Sequence, residues 1–290
     1  MDVHANHHLE IGALPDLRVI HLRDLVFHEE PDPHRLANMT SRLRTEGVLK
    51  NPPIVASGAD GGPFILLDGA NRVSALLAWG FEHMLVQVVA LDDPLLDLQT
   101  WHHAVERFDE EFFAEKIKAL LGTHNCREVR PPIDDEARAG AIAATTAVCT
   151  LTFADGSSLA VHSDDGLLGR VRALKKVTGY YLTTPLFDRV SYTNLEHLKR
   201  NYPEFATLIR FHAFTVEELT QIVNTEERLP AGVTRVFLPK RALGLNIALD
   251  FLRSIATVEE KNRRLQAMIL AKVRDKSIRF YREPTFVFDE

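Results

Sequence analysis

Residues 64–79 contain the feature that most constrains the fold, an apolar run that ends in Asp-Gly and continues with helical spacing. The run covers 64–67, Asp68 and Gly69 form the turn, and the helical pattern covers 71–79. A strand that feeds a helix in this way leaves the first backbone N–H groups of the helix unpaired, at the positive end of its dipole. The sequence therefore predicts an anion-binding turn.

Two residues of this turn suit a phosphate group, and a third can act beside it. Gly69 allows the backbone to approach a ligand closely, and the planar guanidinium of Arg72 matches phosphate oxygens. Asp68 is then held beside the anion, where it can act as a base or hold a metal ion. The same residues also fit a plain turn, in which Asp68 caps the helix and Arg72 is solvated.

Composition narrows the class of protein. The chain has 290 residues, is 46% hydrophobic and carries a net charge of -6, which fits a large core in one or two domains. Without a basic excess, nucleic acid is not an expected partner. The basic C-terminal segment, which includes Arg263, Arg264 and Arg282, is interpreted as a helix face balanced by Glu259 and Glu260.

The expected location is cytoplasmic. Cys126 and Cys149 lack the spacing of a metal site and favour a reducing compartment. We expect no secretory leader, because the first residues are acidic and rich in histidine. No apolar run approaches the roughly 20 residues that span a bilayer, so no membrane partner is expected.

The order of elements predicts a mixed α/β fold with a flexible N-terminal arm and two domains. The arm covers 1–16, a phosphate-binding α/β domain covers 17–122, and a second mixed α/β domain that completes the substrate pocket covers 139–290. A polar, proline-containing connector at 122–137 separates the domains.

Local signals in the second half of the chain are specific. Asp155-Gly156 lies between two strand-like runs and predicts a hairpin. Thr215 predicts a helix start, and Thr257 predicts another with Glu260 as its capping-box partner.

The order of elements and five motifs resemble the ParB/sulfiredoxin fold, and within it the kinases that phosphorylate free L-serine. These kinases make O-phospho-L-serine, and one branch serves siderophore assembly. The likeness spans about residues 19–252. It is carried by His28-Glu29, Asp68-Gly69-x-x-Arg72, Thr100-Trp101-x-His103, Leu229-Pro230-Ala231-Gly232-Val233-Thr234-Arg235 and Pro239-x-Arg241-Ala242-Leu243-x-Leu245-Asn246.

The resemblance implies roles for the matching residues. Glu29 would engage the serine, and Asp68 would activate its hydroxyl and is the candidate Mg²⁺ ligand. The residues implied for nucleotide and phosphate binding are Gly69, Ala70, Asn71, Arg72, Lys50 and Asn51. The residues implied for acceptor binding are Trp101, His103, Thr234, Arg235, Arg241 and Asn246.

Phosphorylation of a hydroxyl needs a base, donors for the phosphates and, usually, a divalent metal. We therefore expect Mg²⁺, with ATP or ADP as phosphoryl donor and L-serine or a related amino acid as acceptor. A homodimer is a candidate assembly. Glu30 is an alternative to Glu29, and either Arg235 or Arg241 can supply a bidentate partner for the acceptor carboxylate. The chain has no Walker A segment and no protein-kinase signature.

Three positions depart from the family pattern. Asn71 and Val236 stand where the family has histidine, and His102 stands where it has asparagine. An amide cannot carry a proton or a positive charge, and a valine cannot donate a hydrogen bond. These changes keep a second hypothesis open, a catalytically altered ParB-like regulatory protein that binds nucleotide or an amino acid, including a transcriptional regulator.

Other activities of the wider fold fit less well. A sulfiredoxin-type reductase needs a cysteine in the turn, where this chain has Ala70. The turn also differs from the Gly-Glu-Arg-Arg of ParB-type CTP clamps. The hairpin predicted at 147–161 does not fit the helix-turn-helix module that ParB proteins place after their first domain.

Overall fold

The computed structural model describes residues 14–57, 62–107, 110–129, 146–182, 184, 186–238 and 240–281. The predictions for 1–13, for the part of the connector at 130–137 and for Arg282 lie outside the described residues. Within them, no helix is both long enough and apolar enough to cross a membrane.

The first half of the described chain has eight strands and three helices. In order they are β1 (Asp16–His21), β2 (Leu25–Phe27), α1 (Pro33–Glu46), β3 (Val48–Leu49), β4 (Ile54–Ser57), β5 (Phe64–Asp68), α2 (Ala70–Ala78), β6 (His83–Ala90), β7 (Asp97–Thr100), β8 (His102–Glu106) and α3 (Glu110–Leu121). A 3-10 turn at Leu22–Asp24 separates β1 from β2.

The second half mixes longer strands with five helices among its described residues. In order they are β9 (Cys126–Val129), β10 (Ala147–Phe153), β11 (Ser158–His162), α4 (Gly166–Gly179), β12 (Phe187–Val190), α5 (Leu195–Asn201), β13 (Phe205–Phe211), α6 (Val216–Val223), β14 (Thr234–Phe237), β15 (Ile247–Ala248), α7 (Leu249–Arg253) and α8 (Val258–Arg274).

The first sheet has five strands in the order β1-β6-β4-β5-β2. Side chains alternate between its two faces, as they must in a strand. In β4, Val55 packs in the same apolar cluster as α1, α2 and α8. Ile54 and Ala56, its neighbours, pack in the cluster that holds the second sheet. The first sheet is therefore covered by helices on one face and by the second sheet's core on the other.

The second sheet has six strands in the order β12-β8-β13-β10-β11-β9, with antiparallel neighbours throughout. Strand β8 ends at Glu106, and α3 begins at Glu110. Although β8 lies inside the span 17–122, it pairs with β12 and β13. The domain limits at 122 and 139 stay a prediction.

Two short antiparallel ladders bring the 229–248 segment to the first half of the chain. Strand β14 pairs with β7, which places Thr234 opposite Thr100. Strand β15 pairs with β3. A third contact, a backbone bridge, joins Glu29 to Leu229. The loop after β2 and the segment before β14 are therefore held side by side.

Several local predictions are confirmed. Strands β10 and β11 form the hairpin around Asp155-Gly156. Thr215 caps α6 in a reciprocal capping box with Glu218. Thr257 caps α8 by accepting the N–H of Glu260 at 3.3 Å. Glu260 has other partners than the predicted capping-box contact. Its carboxylate accepts hydrogen bonds from two arginines of the basic segment, Arg263 and Arg264.

Candidate active site

A cavity of about 560 Å³ lies where the loop after β2, α1, the turn after β5 and the 231–234 segment meet. This volume is in the range of small-ligand sites. Its polar lining includes both carboxylates singled out by sequence, Glu29 and Asp68. The other predicted site residues on its wall are Gly69, Ala70, Asn71, Arg72, Trp101, Thr234 and Arg241.

The Asp-Gly turn has the predicted strand-to-helix geometry. Strand β5 ends at Asp68, Gly69 is the N-cap with φ +105°, and α2 begins at Ala70. A Cβ on Gly69 would lie 2.9 Å from Pro53 Cβ and 3.0 Å from Arg72 Nη2. Glycine is required here for its backbone angle and because the guanidinium of Arg72 lies against it.

Replacing Gly69 by alanine is expected to lower the free energy of unfolding by about 2–3 kcal/mol, because a positive φ and a steric overlap add up. Gly80→Ala is the matched control, since Gly80 has φ +73° with nothing within 4 Å of its added Cβ, and should cost about 1 kcal/mol. Urea unfolding of both variants measures the difference. Equal losses would show that the contact with Arg72 and Pro53 has no effect on stability.

Arg72 is largely committed to protein groups. Nη1 donates to the carbonyls of Asn51 at 2.7 Å and Pro52 at 3.2 Å, and Nη2 donates to Asp68 Oδ2 at 3.0 Å. Burial lowers the pKa of Arg72, an effect that Asp68 partly opposes. The guanidinium thus fixes the turn against the chain that precedes β4 and presents one edge to the cavity.

Asp68 receives a second guanidinium from the far end of the chain. Arg241 Nη2 donates to the same Oδ2 atom. Burial acts to raise the pKa of Asp68, but the two arginines outweigh it and hold the pKa below its ordinary value. Asp68 is therefore a carboxylate at neutral pH, with both cation contacts on one oxygen.

Gln87 fixes the loop that carries Arg241, a role that no sequence motif indicated. This buried side chain of β6 donates to the carbonyl of Lys240 at 2.6 Å and accepts the N–H of Ala242 at 2.9 Å. The two residues that flank Arg241 are therefore attached to the first sheet. This attachment aims the guanidinium at Asp68.

Glu29 also lines the cavity, and the 232–234 segment surrounds its carboxylate. Oε2 accepts the N–H of Gly232 at 3.0 Å. Oε1 accepts the N–H groups of Val233 at 3.1 Å and Thr234 at 2.5 Å, and the Thr234 hydroxyl at 2.6 Å. Glu30, the alternative carboxylate, pairs with Lys175 at 3.0 Å and is 52% exposed.

His28, itself part of the cavity lining, and His103 support this wall. The buried His28 ring contacts the Leu66 carbonyl through Nδ1 at 2.5 Å and Thr234 Oγ1 through Nε2 at 2.7 Å. His103, fully buried, contacts the Gly232 carbonyl through Nε2 at 3.1 Å and the Tyr181 hydroxyl through Nδ1 at 2.7 Å. Since a carbonyl only accepts, Nε2 of His103 carries its proton and Tyr181 donates to Nδ1.

Burial lowers the pKa of His103 to about 3, so its ring is neutral. The ring lies behind Gly232 and is absent from the cavity lining. The structure therefore does not bring the predicted acceptor residue His103 to the wall itself. It places this ring one layer back, where it fixes the segment that holds Glu29.

Four further predicted residues also lie outside the lining. The guanidinium of Arg235 stacks on Trp101 at 4.3 Å. Asn246 donates its backbone N–H to the Lys50 carbonyl at 3.3 Å. Asn51 Oδ1 accepts the N–H of Gly244 at 2.8 Å. Lys50, Asn51 and Asn246 thus connect the 240–246 loop to the chain before β4 and are not among the residues that face the cavity.

The family departures at two positions have structural explanations. Asn71 Oδ1 accepts the N–H of Asp32 at 3.0 Å, so this amide joins the turn to the start of α1. Val236 is half-buried and packs against the apolar cluster of the second sheet.

Sequence reasoning missed Asp32, Arg189 and one face of α1. Asp32 caps α1 through Oδ1 and receives Arg189 Nη2 on Oδ2 at 3.1 Å. Helix α1 lines the cavity with residues at i, i+3, i+4 and i+7, namely Arg35, Asn38, Met39 and Arg42. In the sequence this face resembles an ordinary solvated one, so no pattern indicated it.

The fold and the site define a class of protein, a mixed α/β chain in which a phosphate-type turn and two carboxylates share one cavity. No family model matches the chain. In sequence it is similar to the ATP-dependent L-serine kinase SbnI of Staphylococcus aureus, at 23% identity over 244 residues, 84% of this chain and 87% of that protein.

Two solved structures share the fold. SbnI with a C-terminal truncation, from Staphylococcus aureus, matches with a TM-score of 0.67 at 21% identity, over 88% of this chain and 96% of that one. A free serine kinase in complex with AMP matches with a TM-score of 0.65 at 18% identity, over 82% and 94%. The predicted mixed α/β fold and the likeness to the free serine kinases are confirmed.

A nucleotide-bound Mg²⁺ fits the donor set of the site. Among the described residues, no group of three or more His, Cys, Asp or Glu side chains could hold a metal by itself. Mg²⁺ at phosphate sites takes one or two carboxylates and completes its shell with phosphate oxygens and water. Asp68 meets that requirement as a single protein ligand.

Proposed function

We propose that this protein is a kinase that transfers a phosphoryl group from ATP to the hydroxyl of free L-serine, giving O-phospho-L-serine and ADP. The observation that carries the proposal is the common cavity of Glu29, Asp68 and the Gly69 turn. The sequence and fold likeness to proteins named as serine kinases supports the same substrates.

In this proposal the Asp-Gly turn and α1 hold the nucleotide. The N-terminus of α2 and the Arg72 and Arg241 guanidinium groups face the phosphates and offset charge as it develops in transfer. Asp68 is the residue that would hold Mg²⁺, which would supply positive charge against the phosphates. Asn71 contributes by fixing the position of the turn relative to α1.

The acceptor hydroxyl lies between the two carboxylates. Glu29 orients the serine, and Asp68 accepts the hydroxyl proton as the oxygen bonds to the γ-phosphorus and the bond to ADP breaks. Since phosphoryl transfer has a loose transition state, the nucleophile needs alignment more than early deprotonation. A carboxylate of low pKa is adequate for that task.

Phosphorus NMR tests the proposal directly. Purified protein is incubated with Mg²⁺ and L-serine, with ATP in one tube and ADP in another. We expect a phosphomonoester signal that matches O-phosphoserine in the ATP tube. Intact donor in both tubes would contradict the proposal and favour the regulatory alternative, whereas product in the ADP tube alone would correct the donor.

A further inference from the structure

Arg189 is a cavity residue that none of the family motifs contains. It lies in β12, and its side chain is 11% exposed. Nη2 donates to Asp32, whereas Nε is buried and has no hydrogen-bond partner among the described residues. A buried donor without an acceptor is costly, so this edge of the guanidinium is suited to a ligand.

The neighbouring backbone is built around this guanidinium. Gly232 has φ +76°, and a Cβ there would overlap the Nε, Cζ and Nη2 atoms of Arg189. Gly232 also donates its N–H to Glu29. A guanidinium and a carboxylate therefore flank one glycine on the cavity wall, an arrangement that complements a ligand with charges of both signs.

The other arginines considered for the acceptor are directed to other groups. Arg235 stacks on Trp101 and Phe237, each at 4.3 Å. Arg241 donates to Asp68. The bond from Arg189 to Asp32 uses one of five N–H donors, which leaves enough for both oxygens of a carboxylate.

We propose that Arg189 binds the α-carboxylate of the acceptor and thereby restricts the enzyme to free amino acids. This inference rests on the proposed kinase function. Pairing with Asp32 reduces the local positive charge, so the site suits a monoanionic carboxylate better than a phosphate. Burial lowers the pKa of Arg189, and an anionic ligand offsets that effect.

The test compares L-serine with L-serinamide, which has the same hydroxyl and no carboxylate. The wild type should prefer L-serine, and Arg189→Met should lower kcat/KM for L-serine roughly 100-fold. It should leave the value for L-serinamide unchanged, so the selectivity disappears. Arg18→Met, an exposed arginine of β1, is the control and should keep the wild-type selectivity.

A second variant guards against misfolding of Arg189→Met. Gly232→Ala keeps the guanidinium but displaces it, and should also reduce the selectivity. Gly166→Ala is its control, because Gly166 has φ +68° with nothing within 4 Å of an added Cβ. Calorimetric titration with ADP should give the wild-type affinity for every variant.

The outcomes separate this inference from the kinase proposal. Equal losses for both acceptors in Arg189→Met, or wild-type selectivity in both variants, would overturn the role of Arg189 while the kinase function stands. A wild type that phosphorylates neither acceptor would overturn both. Selectivity lost only in the Arg189 and Gly232 variants supports the inference.

Discussion

Replacing Asp68 by asparagine is expected to lower kcat for O-phosphoserine formation by roughly a thousandfold. The amide is nearly isosteric, but it can neither accept the hydroxyl proton nor balance the guanidinium groups of Arg72 and Arg241. Both contacts lie on Oδ2, so the variant places two cations beside a neutral group. Phosphorus NMR time courses at saturating substrates measure the effect.

The same variant has a signature in pH-dependent stability. Because the arginines hold the pKa of folded Asp68 below the ordinary 3.8, the ionised form stabilises the folded state. This stabilisation is complete above the unfolded pKa and is lost as pH falls through the folded pKa. The gap in unfolding free energy between wild type and Asp68→Asn should therefore be constant near neutrality and shrink below about pH 4.

Asp164→Asn, at an exposed position before α4, is the control for Asp68→Asn. It should keep wild-type turnover. Turnover of Asp68→Asn within a few-fold of wild type would contradict the assigned role of this carboxylate. A gap that does not change with pH would contradict the pairing with the two arginines.

Replacing Glu29 has the second large effect. Glu29→Gln should reduce kcat/KM for L-serine by roughly 100- to 10,000-fold, since the charge that orients the acceptor is removed. Glu29→Ala should lose as much activity and also about 1–3 kcal/mol of stability, because the N–H groups of Gly232, Val233 and Thr234 lose their acceptor. Coupled ADP-release assays and urea unfolding measure the two quantities.

Glu30→Gln separates the two adjacent carboxylates. Glu30 is half exposed and pairs with Lys175, so its loss should change activity by less than about threefold. If Glu30→Gln were inactive and Glu29→Gln active, the alternative assignment would be correct. Activity retained in both would remove this acidic pair from the mechanism.

Patterns that depend on neighbouring residues were predictable from sequence. The Asp68-Gly69 turn, the Asp155-Gly156 hairpin and the Thr215 cap follow from local geometry, and the structure has all three. The end of β1 was not predictable, because Leu22 is apolar and buried although it lies in a 3-10 turn. In the sequence such a residue cannot be distinguished from a residue of the strand.

The roles of long polar side chains depend on tertiary contacts. Arg72 was predicted to face phosphate, yet its Nη1 is used by two backbone carbonyls. No sequence pattern indicated Arg189, because its contacts are distant along the chain. Asp32 lies 157 residues before it, and Gly232 lies beyond β12. His103 was assigned to the acceptor, but burial beside Tyr181 makes it a support.

The ladders β7–β14 and β3–β15 have a consequence for biogenesis. Glu29 and Asp68 emerge early in synthesis, whereas the donors that hold Glu29 emerge about two hundred residues later, and Arg241 follows them. A nascent chain that stops short of residue 229 can build the first sheet but lacks half of the machinery around both carboxylates. We therefore expect the site to be assembled only when the 229–248 segment has joined the first half of the chain.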